Sequence, residues 1–290
     1  MTRYPSVLIC ILAMFLSGGS PVAGSASTTP KARLIITGTG SSIGAMQRMG
    51  EVFQKKRPPV TVSVLPSIGS TGGIKAVKAG KVDIGFTSRP LTPNERNSDI
   101  IEEPYGRTAF VFGVQASNPT NGLTLTEIEE IYARKRTSWP DGTPIRLILR
   151  PKNDGFSVYL ESINARLKSA SKRARSIPGV YIGMTDQEAT AQIEKTPGSF
   201  GTTSTSLIAA EKRKIKALSV DGTAPTLANI SISPGISAVR YPYAMTLSLV
   251  CRRDQYQGAV KEFIDFVFSA AGRKILSENG HVAIPRMSGK

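Results

Sequence analysis

Ile68-Gly69-Ser70-Thr71-Gly72-Gly73-Ile74-Lys75, followed by Ala79-Gly80-Lys81-Val82-Asp83-Ile84-Gly85-Phe86-Thr87-Ser88-Arg89-Pro90-Leu91, decides the fold. The first piece is a small, hydroxyl-rich loop opening a short helix over 74–79. The second ends that helix at Gly80 and continues as a buried strand over 82–86. Upstream, Val60 to Leu65 alternates as a strand. Strand, loop, helix and strand joined by a few residues each are the order of an α/β layer with a mostly parallel sheet. The unit before it repeats the pattern. Leu34-Ile35-Ile36 reads as a buried strand, Thr37-Gly38-Thr39-Gly40-Ser41-Ser42 as a second Gly/Ser/Thr loop, and Ile43 to Gln54 as a helix with Ala45, Met49 and Phe53 spaced by four. Lys55, Lys56 and Arg57 suit that helix's C-terminus, and Pro58-Pro59 stops it.

Downstream, strands are predicted over 108–115, 145–149, 199–203 and 243–251. Helices are predicted over 124–134, 156–167, 185–193, 204–210, 255–268 and 271–279. Thr124 and Glu127 have the spacing of a capping box. Residues 221–240 are polar and turn-rich. Two lobes follow, with the chain crossing outward near Val114–Asn118 and returning near Val239–Tyr243. Residues 27–116 plus 229–290 form the first lobe and 117–228 the second. The fold class expected is α/β, each lobe a mostly parallel sheet flanked by helices.

The chain has 290 residues, 37 Lys+Arg against 21 Asp+Glu, and a net charge of +16. That balance points to an anionic partner: nucleic acid, a membrane surface or a small anion. One His and two Cys exclude a zinc centre, an iron–sulfur cluster or a disulfide framework, and no cofactor is expected. Residues 1–26 read as a secretory signal peptide: Arg3, an apolar run from Val7 to Leu16, then small residues. Cleavage is expected after Ala26, with a shift of one to three residues equally defensible. Cys10 leaves with the leader, and Cys251 remains as a small buried hydrophobe. Export argues against nucleic acid, and aromatic residues do not interleave with the basic clusters. Those clusters, such as Lys172-Arg173-x-Arg175, read as solvated helix faces and ends.

Three loops share one chemistry. Thr39 to Ser42 and Ser67 to Gly73 each follow a strand and open a helix. Asp154-Gly155 follows the strand ending at Leu149-Arg150 and opens a third. A helix N-terminus offers unpaired N–H groups and the positive end of the dipole, while Gly admits close approach and Ser or Thr adds donors. Such a set can hold a small tetrahedral anion, and Arg150 adds a charged fork. Neither Gly38-x-Gly40-x-x-x-Gly44 nor Gly69-Ser70-Thr71-Gly72-Gly73-Ile74-Lys75 has the spacing of a nucleotide motif.

Together these segments resemble the substrate-binding subunit of phosphate ABC importers, in the periplasmic binding protein superfamily. The stretch 68–91 is similar to the family's second loop, helix and third strand, and Thr37 to Ser42 to its first anion loop. Leu125 to Trp139 looks like the start of its second lobe. Tyr241-Pro242, and Phe263 to Phe268 through Gly280 to Pro285, look like its closing segment. The resemblance implies a type II two-lobed fold that closes on one phosphate without a metal. It also implies a periplasmic location, monomeric state and delivery to an ABC permease in the inner membrane. Carried over by motif, Ser42 and Ile43 take the loop-one contacts, Ser70 the loop-two hydroxyl and Arg150 the lobe-two arginine. Ser41 and Thr71 stand beside them.

Two departures from the family pattern bear on the ligand. Ser88 stands where phosphate binders often carry an Asp that accepts a proton from hydrogen phosphate. Asp154-Gly155-Phe156 stands where the second lobe usually offers Ser-Gly-Thr. A two-residue gap instead aligns Asp154-Gly155 with an Asp-Gly ahead of that motif and gives Ser157 a hydroxyl role. Both alignments stay open. The alternatives to phosphate are sulfate, molybdate or tungstate, or a sensory or envelope-associated relative without a transporter. An enzyme is not expected: His281 is the single His and falls in the closing segment, where the family usually has another aromatic residue.

Overall fold

The computed structural model describes residues 32–231 and 240–286. The leader expected over 1–26 lies outside them. In chain order the first elements are β1 (Ala32–Gly38), α1 (Gly40–Lys56), β2 (Val60–Val64), α2 (Gly69–Lys78), β3 (Ile84–Thr87) and β4 (Ile100–Gln115). Next come β5 (Gly122–Leu123), α3 (Leu125–Tyr132), β6 (Arg146–Leu149), α4 (Gly155–Ile163), α5 (Ala165–Arg175), β7 (Tyr181–Ile182) and α6 (Asp186–Lys195). The remainder are β8 (Ser199–Ser204), α7 (Thr205–Ala210), β9 (Ile215–Ala217), β10 (Ser219–Val220), α8 (Leu227–Ile230), β11 (Ala244–Arg252), α9 (Gly258–Phe268), α10 (Ala270–Glu278) and β12 (Val282–Ala283).

The main sheet has the order β2-β1-β3-β11-β4-β8-β6-β7, with β12 and β9 also paired to β4. Its outer ladders, β1 with β2 and β3, and β6 with β7 and β8, are parallel. β4 and β11 run antiparallel to their neighbours in the middle. The parallel ladders place the N-termini of α1, α2 and α4 along one edge, where crossover helices of α/β units present their positive ends.

β4 belongs to both halves. Ile100 to Ala109 pair with β11, and Phe110 to Gln115 with β8 and β9. Two cores follow this division. Leu34, Ile36, Met46, Phe53, Phe263 and Val267 lie in one; Phe110, Phe112, Tyr132, Trp139, Phe200 and Tyr241 lie in the other. The change of partner at Ala109/Phe110 comes before the Val114–Asn118 crossing expected from sequence. The return falls at Ala244, where β11 begins.

β4 also starts eight residues before the strand expected at Thr108. Pro104 and Gly106 read as breakers, and the fold accommodates them with a bulge: Leu247 faces Gly106, Ser248 faces Pro104, and Tyr105 is skipped. The helix expected over 156–167 is two helices. Asn164 is extended between them, and its side chain accepts from the Leu167 N–H, capping α5. α1 and α2 begin at Gly40 and Gly69, before Ile43 and Ile74. Gly and Ser lower helix propensity, so these first turns read as loop. Cys251 is buried, with its thiol pushed up to about 12 by burial.

Gly38 fixes the spacing of β1 and β3. It pairs with Phe86 at φ +151°, and a Cβ there would lie 2.2 Å from the Phe86 carbonyl oxygen. Gly38→Ala is expected to destabilise the protein by about 3 kcal/mol or more, read by chemical denaturation. A loss below about 1 kcal/mol would show that these strands part freely.

Candidate functional site

The first turns of α1 and α2, the residue after β3, the residue after β6 and the first turns of α4 and α6 meet in one cleft between the two halves. Ser70 sits in the first turn of α2. Its Oγ accepts from the Ser88 N–H at 3.0 Å and lies 3.2 Å from Ser88 Oγ. Ser88 Oγ also lies 3.3 Å from Thr39 Oγ1, just before α1. From the opposite side comes Gly155, whose missing side chain leaves room: a Cβ there would lie 2.5 Å from Ser88 Oγ and 3.1 Å from Ser70 Oγ.

Arg150 is buried, 3% exposed, and is clamped between two carboxylates. Its Nη2 donates to Asp154 Oδ2 at 2.7 Å and to Asp186 Oδ1 at 2.8 Å, and its Nε donates to Asp154 Oδ1 at 3.2 Å. Nη1 donates to the Gly183 carbonyl at 2.5 Å. Asp154 caps α4, accepting from the Phe156 N–H. Asp154 thus stands at the head of α4. Ser157 Oγ donates to the Arg150 carbonyl and holds the loop.

Asp186 closes the cleft. It opens α6 behind a capping box made by Thr185 and Glu188. Its Oδ2 accepts from the Gly40 N–H at 2.5 Å and from Thr39 Oγ1 at 3.2 Å, so a carboxylate of one half sits on the α1 N-terminus of the other. Burial pushes the Asp186 carboxyl upward and the Asp154 charge adds to this, while Arg150, the Gly40 N–H and Thr39 pull it back.

Two more strands of contact bridge the halves. Ser204 Oγ donates to Ser41 Oγ at 3.0 Å. Thr71 Oγ1 donates to the Asn153 carbonyl at 3.1 Å and accepts from Arg89 Nη2 at 3.0 Å. Arg89 makes a two-pronged pair with Glu95, both contacts 2.7 Å, which holds the Glu95 carboxyl down at about 2. A cavity of about 190 Å³ remains at the mouth, between Ile68, Ser70, Thr71, Asn153, Asp154 and Met184.

Of the residues expected from sequence, Ser41, Ser70, Thr71, Ser88, Arg150, Asp154 and Gly155 come together. Ser42 and Ile43 do not turn side chains into the cleft. The Ser42 hydroxyl shares a hydrogen bond with Tyr105 at 2.7 Å, and Ile43 packs into the first core. Thr39 and Gly40 belong to the first of the loops expected to hold an anion, whereas the sequence does not point to Asp186. Thr185-Asp186-x-Glu188 is visible in sequence only as a helix start, and nothing local reveals that its Asp reaches another helix 146 residues away. Among the described residues, no group of three or more His, Cys, Asp or Glu is placed to hold a metal. No described helix is long and apolar enough to cross a membrane.

The fold and cleft define a two-lobed binding protein, and comparison agrees. The chain belongs to the PBP superfamily, whose domain model matches residues 23–271. It is 31% identical over 107 residues to phosphate-binding protein PstS 2 of Streptococcus pneumoniae serotype 4, covering 37% of this chain and 36% of the relative's length. Protein SphX of Synechococcus elongatus is 26% identical over 273 residues, covering 87% of this chain and 78% of that one. A Clostridium perfringens chain assigned as a phosphate ABC transporter substrate-binding protein, and solved with bound phosphate, superposes with TM-score 0.73. That match has 23% identity and covers 87% of this chain and 99% of the other.

His281 supports the α1 end of the cleft from behind. It is 1% exposed, and its Nε2 hydrogen-bonds the Ser41 carbonyl at 3.1 Å. Burial holds its imidazole down at about 4, from an ordinary 6.5. Below pH 6.5 the unfolded chain takes up a proton that the folded chain refuses, so stability is lost as pH falls from 6.5 to about 4. That depression is of the order of 3 kcal/mol at its full extent. His281→Phe is expected to flatten this part of the stability–pH curve, measured by urea denaturation between neutral pH and pH 4. Parallel curves for the two proteins would refute the buried neutral imidazole.

Proposed function

We propose that this chain is an exported solute-binding protein that closes two lobes on phosphate and delivers it to an ABC permease in the inner membrane. It works as a periplasmic monomer and performs no chemistry on its ligand. The observation that carries this reading is the carboxylate on the Gly40 N–H: the α1 N-terminus holds an anionic oxygen with a backbone donor, a hydroxyl and a shared arginine around it. Phosphate oxygens are recognised by the same donors. The relatives support the same ligand, since PstS 2 is named for phosphate binding and the Clostridium perfringens structure holds phosphate.

In this reading Ser70, Ser88 and the α1 and α2 N-termini form the first lobe's half of the site. Arg150, Asp154 and Gly155 form the second lobe's half. The lobe boundary proposed after residue 116 lies seven residues past the point where β4 changes partners. A second reading is another oxyanion. Ser88 leaves the third-strand position without the carboxylate often found in phosphate binders, and Asp154 and Asp186 both flank the single Arg150. Two carboxylates against one guanidinium are a poor match for a dianion that keeps no proton, so this pair favours phosphate, which can bring a proton, over sulfate, molybdate or tungstate, and only Ser88 speaks for the second reading.

Titration calorimetry with phosphate, sulfate, molybdate and tungstate separates the two readings. Heat with phosphate is expected. Heat with another of these anions, and none with phosphate, would overturn the assignment. Ser70→Ala is expected to weaken phosphate binding by about 1–3 kcal/mol, the loss of one hydrogen bond to a charged ligand. Unchanged affinity would place the ligand away from α2.

A further inference from the structure

Asp186 does what a ligand oxygen would do. It belongs to α6, on the side of β6 and β8. It reaches across to accept the Gly40 N–H and the Thr39 hydroxyl of the other half while still held by Arg150. It is 3% exposed, and the space around it is filled: a Cβ on Gly40 would lie 2.5 Å from the Asp186 Cβ. A cavity lies at the mouth, bounded by Ser70, Thr71, Asn153 and Asp154. The α1 N-terminus cannot donate the same N–H to an incoming oxyanion while Asp186 accepts it, because one N–H has one good acceptor direction.

We propose that Asp186 is a built-in competitor for the anion site: it latches the two lobes together by itself, and an oxyanion binds by exchange with it. The latch is independent of the ligand's identity; the exchange rests on the binding function proposed above. The competition follows from shared donors. An oxyanion gains the Gly40 N–H and the Thr39 hydroxyl only when the carboxylate lets go, so the opening free energy of the latch is subtracted from the intrinsic affinity. Arg150 is the part that need not be exchanged. It stays paired with Asp154 through Nε and one N–H of Nη2, and the second Nη2 N–H, released by Asp186, can turn toward the ligand.

Three proteins test this: wild type, Asp186→Asn and Asp186→Ala. Asp186→Asn keeps the size and removes the charge, so it controls for misfolding. Small-angle scattering without added anion reads the latch. Wild type is expected to be compact and to change little on adding phosphate; Asp186→Ala is expected to have a larger radius of gyration and to contract with phosphate. Equal radii for ligand-stripped wild type and both variants would overturn the latch, whatever anion the protein binds. Calorimetry with phosphate reads the exchange. Both variants are expected to bind about tenfold more tightly than wild type, the range for an anion at a partly buried helix N-terminus. Weaker binding by folded Asp186→Asn would overturn the competitor and make Asp186 a ligand contact. If no tested anion binds wild type or variants, the binding reading fails while the scattering result still decides the latch.

Discussion

One strand supplies backbone partners to both halves of this molecule. Every N–H and C=O of β4 must be paired once the strand is buried, and among the described residues no single neighbouring strand spans all sixteen of its residues. Nine of the first ten pair with β11, Tyr105 being skipped at the bulge, and the last six with β8 and β9. The halves cannot separate completely without breaking these ladders, yet they can rotate where the partner changes. Tyr241 and Tyr243 pack beside this point, and the Tyr241 hydroxyl donates to the Phe110 carbonyl at 2.8 Å, so the return strand is fixed at the same place. A hinge anchored in a continuous strand restricts the motion of the cleft to opening and closing.

That restriction gives the helix N-termini their value. α1 and α2 come from one side of β4 and α4 and α6 from the other, so closure brings positive helix ends and short hydroxyl side chains face to face. Dipole ends of like sign repel unless an anion lies between them. Asp154 and Asp186 are the anions the chain itself brings, and Arg150 keeps the pair from repelling one another. Removing Arg150 would leave two buried carboxylates facing one another without a counter-charge, a loss of roughly 3–5 kcal/mol. The cluster therefore depends on all three residues together.

Local chemistry made much of this legible in sequence. The order of strand and helix over 34–54 and 60–79, the Thr124 capping box and the amphipathic helix ending at Phe268 appear as read, although α1 and α2 start within the expected loops, because each is encoded by neighbours in the chain. Ser70, Ser88, Arg150 and Gly155 stand out in sequence through the family resemblance, and the structure brings them into one cleft. What was hidden required distant partners. The first part of β4 was masked by Pro104 and Gly106, which are tolerable only because β11 slips register opposite them. Asn164 breaks a helix that its neighbours would continue. Ser42 looks like an anion donor until Tyr105 claims it across 63 residues.

Asp186 is the sharpest case, and it alters the meaning of the chain's net charge of +16. A basic surface raises the local concentration of anions and accelerates their capture, an effect that salt suppresses. The same field would favour any anion indiscriminately if the cleft were equally positive. It is not: Arg150 faces two carboxylates, so the cleft itself leans negative while its surroundings are basic. Attraction is thus long-range and unselective, while admission is short-range and demanding. An oxyanion succeeds only by matching donors well enough to displace a carboxylate already hydrogen-bonded to them. The two requirements act on different steps, the surface charge on encounter and Asp186 on occupancy, so selectivity can be strengthened without slowing capture.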